Sequence, residues 1–524
     1  MSSATGAGLL LRFHLRRDRL MLALWIVGNV ILYVSQAVST KSLYATQAEF
    51  DKAAASMESN VAFIAMTGPA RALNTLGGQV AWQAAAFGAI VAGLMSMFLV
   101  GRHTRAEEES GRDELVRAGR VGRHAPLAAA ALECLMANVL LGAFITGSLI
   151  AYGLPAAGSI ALGIAAGEAG LFFGAVTLVA VQVSQGTRGA YAITGVAIAV
   201  AYVLRAIGDI GNGALSWVSP IGWGQYMRAY AGEVWWPSLL TPVAVVPLGV
   251  LALRLFDRRD MGSGVWAAKP GPARGDLDSS LSLAWRLQRG SLLGWTFGLL
   301  IAGLSYGSIG DNVEDLLGDS SFSRETFGQA GGSFVDSLYA VLAMMLAIMG
   351  AGFAISSVLR LRGEENQHFA ELQLATAEPR WRWAGSHLTI TVLGTTLVVA
   401  AGGLGMGTGF ALVTGDSSAV LRLLGATASY VMPVLVLAGV TWVAYAIRPA
   451  LAMTGWAALG FCLVVMLFGQ SLQLPSWLTD VSPFEHLALA PAEDFELVPV
   501  LVLLAVVAVL GAGGMAALRR RDML

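Results

Sequence analysis

The sequence contains one unit twice. Arg258-Arg259-Asp260-Met261 follows a long apolar run near the middle, and Arg520-Arg521-Asp522-Met523 follows another at the end. At one constant spacing, Glu107-Glu108, Glu114 and Arg123 are matched by Glu364-Glu365, Glu371 and Arg380. A tandem repeat of roughly 260 residues restricts the fold to two similar halves, and paired membrane repeats commonly enclose a transport pathway.

The composition indicates a membrane protein, because 56% of the residues are hydrophobic and only 13% are charged. Soluble domains carry about 25% charged residues, and a membrane-spanning helix needs about 20 mostly apolar residues. Twelve such segments are predicted, at 20–38, 80–101, 126–152, 159–183, 190–207, 238–256, 290–309, 336–359, 386–412, 420–446, 450–472 and 498–516. The predicted fold class is therefore an all-α polytopic membrane protein with twelve transmembrane helices arranged as two fused six-helix repeats.

The predicted organisation is a first six-span half at 1–256, a cytoplasmic linker at 257–280 and a second six-span half at 281–524. The linker is rich in Gly and Pro, which predicts irregular structure. Most of the 33 Lys and Arg residues fall on one side of this map, so both termini are predicted to be cytoplasmic. The net charge of −1 gives no reason to expect a nucleic-acid partner.

The segments between the spans carry further predictions. Residues 9–17 and 281–289 mix basic and apolar side chains, which predicts amphipathic helices lying in the membrane plane, with His14 as an interfacial polar group. The first outer loop, 39–79, has apolar residues at helical spacing, and its counterpart at 310–335 is strongly acidic. Trp and Pro in 208–238 and 473–498 predict short broken helices at the outer membrane surface.

Two inner loops are longer and more charged than simple connectors. Residues 102–119 and 360–375 are both predicted to form short helices with a small apolar face. Two matched helices on one side favour a docking surface for a cytoplasmic partner. The alternative is a pair of solvated helices held by salt bridges.

At these loops the chain resembles the permeases of type-2 ABC exporters, in the actinobacterial branch of tetronasin-type exporters of polyketide antibiotics. The resemblance rests on residues 102–123, on the Ser-Pro and Trp stretch at 219–236 and on the two Arg-Arg-Asp-Met sequences, and it covers essentially the whole chain. It implies that the loop after the second span of each half is a coupling helix seated on an ATPase. It assigns that role to Glu107, Glu108, Glu114, Glu364, Glu365 and Glu371. The second half lacks most of the basic residues of the first loop, so the two docking sites are not expected to be equivalent.

The chain lacks a nucleotide-binding loop, since none of its three Lys residues follows a Gly. We therefore expect no cofactor on this chain and no enzymatic activity of its own. ATP and Mg²⁺ are expected on a separate ABC ATPase subunit, bound in two copies. The resemblance further implies a hydrophobic small-molecule substrate and a location in the bacterial plasma membrane, in contact with lipid.

Two carboxylates fall well inside predicted spans, where a charge costs about 3 kcal/mol. Glu133 and Glu168 either contact a cationic substrate group or are hydrogen-bonded packing groups. Phe87, Met95, Phe98 and Tyr202 are candidates for an adaptable apolar pathway, although such side chains also face lipid or core. The six His residues show no metal-ligand spacing, so no metal site is predicted.

The alternative function is a proton-coupled twelve-span secondary drug transporter, which also has a six-plus-six repeat. Ser110-Gly111-Arg112-Asp113 superficially resembles the motif that such carriers place after the second span. The long outer loops and the matched inner helices argue against this alternative. A membrane enzyme is the third class considered, and no catalytic constellation supports it.

Overall fold

A computed structural model describes residues 3–43, 46–58, 61–260, 262–266, 275, 277–310, 334–468 and 474–522. These residues form helices and turns, and no β-strand occurs among them. Twelve helices are long and apolar enough to cross a membrane, six between Ala7 and Arg258 and six between Ser280 and Arg520. The predicted fold class is therefore confirmed. By its contacts the chain divides into two compact units, Met1–Gly271 and Pro272–Leu524.

The first unit contains eleven α-helices in its described part. They are α1 (Ala7–Leu43), α2 (Gln47–Glu58), α3 (Val61–Thr67), α4 (Leu76–His103), α5 (Arg105–Glu109), α6 (Arg112–Arg117), α7 (Ala125–Ala151), α8 (Ala156–Val183), α9 (Thr187–Ile210), α10 (Pro220–Tyr226) and α11 (Leu240–Arg258). Short 3₁₀ helices at Leu215–Val218 and Trp236–Leu239 flank α10. The predicted broken helices at 208–238 are thus present. In the segment predicted as the first outer loop, α2 buries Phe50 and Ala54, in keeping with its apolar spacing.

The second unit repeats this order. Its described helices are α12 (Ser280–Gly307), α13 (Phe334–Asn366), α14 (Phe369–Leu374), α15 (Arg380–Thr414), α16 (Ala419–Ser429), α17 (Val431–Ile447), α18 (Thr454–Phe468), α19 (Ser476–Thr479) and α20 (Leu497–Arg520). A 3₁₀ helix at Pro449–Met453 precedes α18. The predicted tenth span is divided at Tyr430 into α16 and α17. The acidic outer loop predicted at 310–335 lies almost entirely outside the described residues.

Small residues bring the spans close together. A Cβ atom added to Gly303 of α12 would lie 2.0 Å from the carbonyl oxygen of Gly402 of α15. One added to Gly405 would lie 2.2 Å from the carbonyl oxygen of Leu300. The backbones of α12 and α15 therefore touch, as expected where Gly lines the contact between transmembrane helices.

The prediction of separate in-plane helices at 9–17 and 281–289 is wrong. Both segments are the first turns of the continuous helices α1 and α12. A helix of 37 residues such as α1 is about 55 Å long, which exceeds the hydrocarbon thickness of a bilayer. His14 is buried rather than interfacial, and Gln288 in α12 is buried as well. Contacts with neighbouring helices therefore outweigh the local amphipathic pattern.

Candidate functional site

The loop after the second span of the first unit consists of two short helices. Helix α4 ends at His103, α5 follows after Thr104, and Gly111 turns the chain into α6 with a φ of +71°. Glycine suits this left-handed conformation because it has no Cβ. In the second unit α13 continues through Asn366, and His368, with a φ of +61°, turns the chain into α14. Each loop therefore ends in a short helix, α6 or α14, and a residue in the left-handed conformation separates that helix from the one before it.

Glu108 is the centre of an ion cluster that anchors the first loop. Its carboxylate binds the guanidinium of Arg259 through both oxygens and also pairs with Arg105. Arg259 donates to Gln182 at 2.6 Å, and Arg105 donates to the carbonyl oxygen of Ser263 at 2.8 Å. The cluster thus joins α5 to the end of α8 and to the segment after α11.

The two neighbouring glutamates fix the same loop at other points. Glu107 lies 2.5 Å from a guanidinium nitrogen of Arg17 on α1. Glu109 accepts hydrogen bonds from the backbone NH and the hydroxyl of Thr187, at 2.7 and 2.6 Å. Because Thr187 begins α9, this carboxylate satisfies the unpaired donors of a helix N-terminus.

The corresponding contact recurs in the second unit. Both oxygens of Glu365 accept from Arg521, at 2.9 and 2.7 Å, and the hydroxyl of Tyr445 donates to Glu365 at 2.6 Å. Arg521 also donates to the carbonyl oxygen of Tyr445 at 2.9 Å, while Arg380 holds the carbonyl oxygen of Arg521 at 2.8 Å. We call the Glu108–Arg259 and Glu365–Arg521 contacts the two clamps, because each ties a loop to the residue following the last span of its unit.

The six predicted coupling residues therefore have different environments. Glu107, Glu108 and Glu365 pair with arginines of the same chain, and the buried Glu364 lies 2.7 Å from Arg360. Glu114 and Glu371 are exposed, the latter beside His368. Beside each exposed glutamate stands an exposed leucine, Leu115 or Leu372, at 77% and 71% exposure. Each loop thus exposes a Glu-Leu pair at a matching position. The other four glutamates are paired within the chain and hold the loops in place.

The six predicted pathway residues occupy several different environments. Phe87 and Tyr202 pack against each other, and Phe98 packs against Trp25 and Tyr191. Met95 is fully buried, Glu133 is buried beside His14 and His103, and Glu168 accepts a hydrogen bond from Thr241 at 3.4 Å. Their role in a pathway stays a prediction.

The sequence reasoning missed the arginines that hold the loops. Arg259 and Arg521 are each the second residue of an Arg-Arg-Asp-Met sequence, and the first arginine, Arg258 or Arg520, is exposed. The duplicated sequence was the available signal, because a charged tetrapeptide retained in both halves indicates a shared contact. Its partner could not be identified locally, since the paired residues are separated by 151 and 156 positions.

Comparisons with known proteins agree with this architecture. Residues 277–519 match the family described as "Multidrug efflux system permease Rv1217c, C-terminal domain". The chain is 37% identical to the multidrug efflux system permease protein Rv1217c of Mycobacterium tuberculosis (strain ATCC 25618 / H37Rv) over 527 residues, which cover 99% of this chain and 96% of the relative. With twelve membrane-spanning helices and a full-length relative of this kind, the chain belongs to the family of multidrug efflux system permeases that includes Rv1217c.

Proposed function

We propose that this permease is the membrane subunit of an ATP-driven ABC exporter that moves hydrophobic or amphiphilic drugs out of the cell. A separate ATPase subunit, bound in two copies, would hydrolyse ATP with Mg²⁺. Both termini and the two loops would face the cytoplasm, as the distribution of Arg residues predicts. The observation that carries the proposal is the pair of clamps, which give both loops the same attachment.

The clamps suit force transmission. A loop that couples ATP hydrolysis to movement of a span must itself be rigid. Arg259 and Arg521 connect each loop to the end of the last span of its unit, and both guanidinium groups are largely buried. Removing one partner of a buried ion pair costs about 3 kcal/mol or more. A push on α5 or on the end of α13 would therefore move the attached span as well.

The exposed Glu-Leu pairs suit recognition of the ATPase. Exposed leucines at Leu115 and Leu372 each offer an apolar knob, and hydrophobic anchors in a polar rim are typical of protein interfaces. Glu114 and Glu371 add a negative charge beside each knob. The partner would thus present an apolar groove with basic residues at its edge.

The substrate class rests on the family and on the resemblance to exporters of polyketide antibiotics. We propose a large amphiphilic antibiotic, such as a polyketide or ionophore, moved outward. Deleting the permease and its ATPase together should raise susceptibility to such compounds and their retention in cells. Unchanged susceptibility and retention across the class would refute this substrate assignment.

The test of the energy source uses the purified permease in proteoliposomes, with and without its ABC ATPase subunit. The permease alone should hydrolyse no ATP, and the assembled complex should hydrolyse ATP faster when an amphiphilic dye is added. Dye movement should need ATP and Mg²⁺ and should persist when an uncoupler removes the proton gradient. A variant ATPase lacking its nucleotide-binding Lys is the control. Transport by the permease alone, abolished by the uncoupler, would instead establish the proton-coupled carrier.

A further inference from the structure

A buried cluster of two histidines and two carboxylates lies next to the first clamped loop. His14 and Asp18 stand one turn apart on α1, His103 ends α4, and Glu133 lies on α7. None of these side chains is more than 7% exposed. One nitrogen of each imidazole and one carboxylate oxygen of Glu133 lie within 4.8 Å of one another. Three helices thus bring metal-binding side chains to one point.

The spacing of these atoms matches a metal coordination shell. His14 Nδ1 lies 3.2 Å and His103 Nε2 lies 3.4 Å from the same oxygen, Oε2 of Glu133. Ligand atoms bound about 2.0–2.1 Å from a tetrahedral zinc ion stand about 3.3 Å from one another. Asp18 Oδ2 lies 2.7 Å from His103 Nε2, a hydrogen-bond distance, so Asp18 stands beside these three residues and would supply a further carboxylate once that contact opens.

Hydrogen bonds do not account for the Glu133 contacts. Both carboxylate oxygens of Glu133 and the Nδ1 atom of His14 are buried without a hydrogen-bond partner among the described residues, whereas Nε2 of His103 contacts Asp18. An unpaired buried carboxylate costs several kcal/mol. Metal coordination needs only lone pairs that meet at one point, and imidazole with carboxylate is a ligand set that zinc commonly takes.

The charge of the cluster also fits a divalent ion. Asp18 and Glu133 supply two negative charges, which a divalent cation neutralises inside the protein. Arg102 lies 3.3 Å from Asp18 with a side chain that is 36% exposed. Arg102 therefore sits at the edge of the cluster and leaves its interior to the ion.

Binding would require a small rearrangement of the rings. The imidazoles of His14 and His103 stack with centroids 3.8 Å apart and planes 18° apart, so their nitrogen lone pairs lie in two nearly parallel planes and do not meet at one point. The χ2 torsion of histidine is broad, and a turn of one ring makes the lone pairs converge. The proton between His103 and Asp18 would leave as the ion enters.

The second unit provides an internal comparison. The positions matching His14, Asp18, His103 and Glu133 hold Ala284, Gln288, Arg360 and Ile390. There Gln288 contacts His387 at 3.1 Å and accepts a hydrogen bond from Ser357 at 2.5 Å. The side chains of Gln288, Ser357 and His387 are polar and buried but include no carboxylate, so they match the cluster in polarity and lack its pair of acidic groups.

We propose that His14, Asp18, His103 and Glu133 bind one divalent transition-metal ion of the zinc class. The ion would hold α1, α4 and α7 together where α4 meets the clamped loop. The site does not depend on how transport is driven.

The test uses the full chain in detergent, freed of any polyhistidine tag, stripped with a chelator and then supplied with Zn²⁺ or Co²⁺. Elemental analysis after desalting should find about one ion per chain. Glu133→Gln and His14→Gln should each weaken binding by about tenfold or more. His387→Gln, which changes the buried histidine beside Gln288, should bind as the unaltered protein does.

Bound Co²⁺ should give the intense visible absorption of a four-coordinate site, a readout that needs no variant. Retention of less than about a tenth of an ion per chain would refute the proposal. A weak six-coordinate Co²⁺ spectrum would also refute it. So would a Glu133→Gln variant that binds as much metal as the unaltered protein, or a His387→Gln variant that loses as much metal binding as Glu133→Gln. If the histidines and carboxylates share protons instead of binding a metal, the chain will retain almost no ion.

Discussion

Arg521 donates hydrogen bonds to both carboxylate oxygens of Glu365, and the hydroxyl of Tyr445 donates to the same carboxylate at 2.6 Å. The guanidinium group also lies over the Tyr445 ring, 4.9 Å from its centroid. One arginine thus joins the end of α13 to α17 and to the end of α20. The counterpart of this contact in the first unit is the contact between Glu108 and Arg259.

Arg521→Ala should destabilise the second unit by about 3 kcal/mol, because it leaves Glu365 with an unpaired charge. Thermal unfolding in detergent measures this effect. Arg520→Ala, which removes the exposed neighbouring arginine, is the matched control and should change stability by less than about 0.5 kcal/mol. Equal effects of the two substitutions would show that the clamp contributes nothing specific.

Reversing Glu107 and Glu108 to Arg should disrupt the first loop itself rather than merely repel a partner. Glu108 faces Arg105 and Arg259, so an introduced arginine would place a third positive charge in that cluster. We expect lower yield and lower thermal stability of the permease alone. Glu114→Arg, at an exposed position of α6, should leave both unchanged. A stable double variant that only fails to bind the ATPase would contradict this expectation.

Leu115→Ala combined with Leu372→Ala should weaken ATPase binding by about 2 kcal/mol or more if both leucines are interface anchors. Co-purification and substrate-stimulated ATP hydrolysis measure the loss. Val265→Ala, which shortens a partly exposed apolar side chain after α11, is the control. Full assembly and stimulation in the double variant would exclude these knobs as the coupling surface.

Cysteine labelling in intact cells tests the predicted orientation. A cysteine at Ala118, between α6 and α7, should be inaccessible to an impermeant reagent, and one at Ser417, between α15 and α16, should react. Both positions are exposed, whereas the native Cys134 and Cys462 are buried and should give little background. Labelling of Ala118→Cys from outside the cell would show that the predicted membrane orientation is inverted.

Glu168→Gln should alter the transport of cationic substrates more than that of neutral ones, because only a cation senses the lost charge. Thr241→Val removes the hydroxyl that donates to Glu168 and keeps the carboxylate, so it separates charge from packing. Transport assays with a matched cationic and neutral pair measure the difference. Equal effects on both substrates, at normal expression, would favour a packing role for Glu168.

The sequence predicted the fold well because a membrane restricts the possibilities. A run of about 20 apolar residues forms a transmembrane helix in lipid, and Trp and Pro are common near its ends. The prediction failed where a local pattern competes with packing. Residues 9–17 look amphipathic, yet α1 is continuous and His14 turns inward, because Glu133 and His103 lie there and both are distant in sequence.

The candidate site was predicted in position but not in detail. Charge at 102–119 and 360–375 located both loops. It could not distinguish Glu108, which is bound by two arginines, from Glu114, which is exposed, since both are glutamates on a short helix. Only the three-dimensional structure separates them, because the partners of Glu108 come from other parts of the chain.

The two clamps also record how this protein arose. A contact present at matching positions in both halves most economically dates from a half-length ancestor, in which every copy carried the same glutamate and arginine. Fusion of two such copies into one chain would allow one half to change without the other. The histidine and carboxylate cluster exists in the first half alone, so it was gained there or lost from its twin after duplication. Sequences of unfused relatives would therefore be expected to retain the clamp and to differ in the cluster.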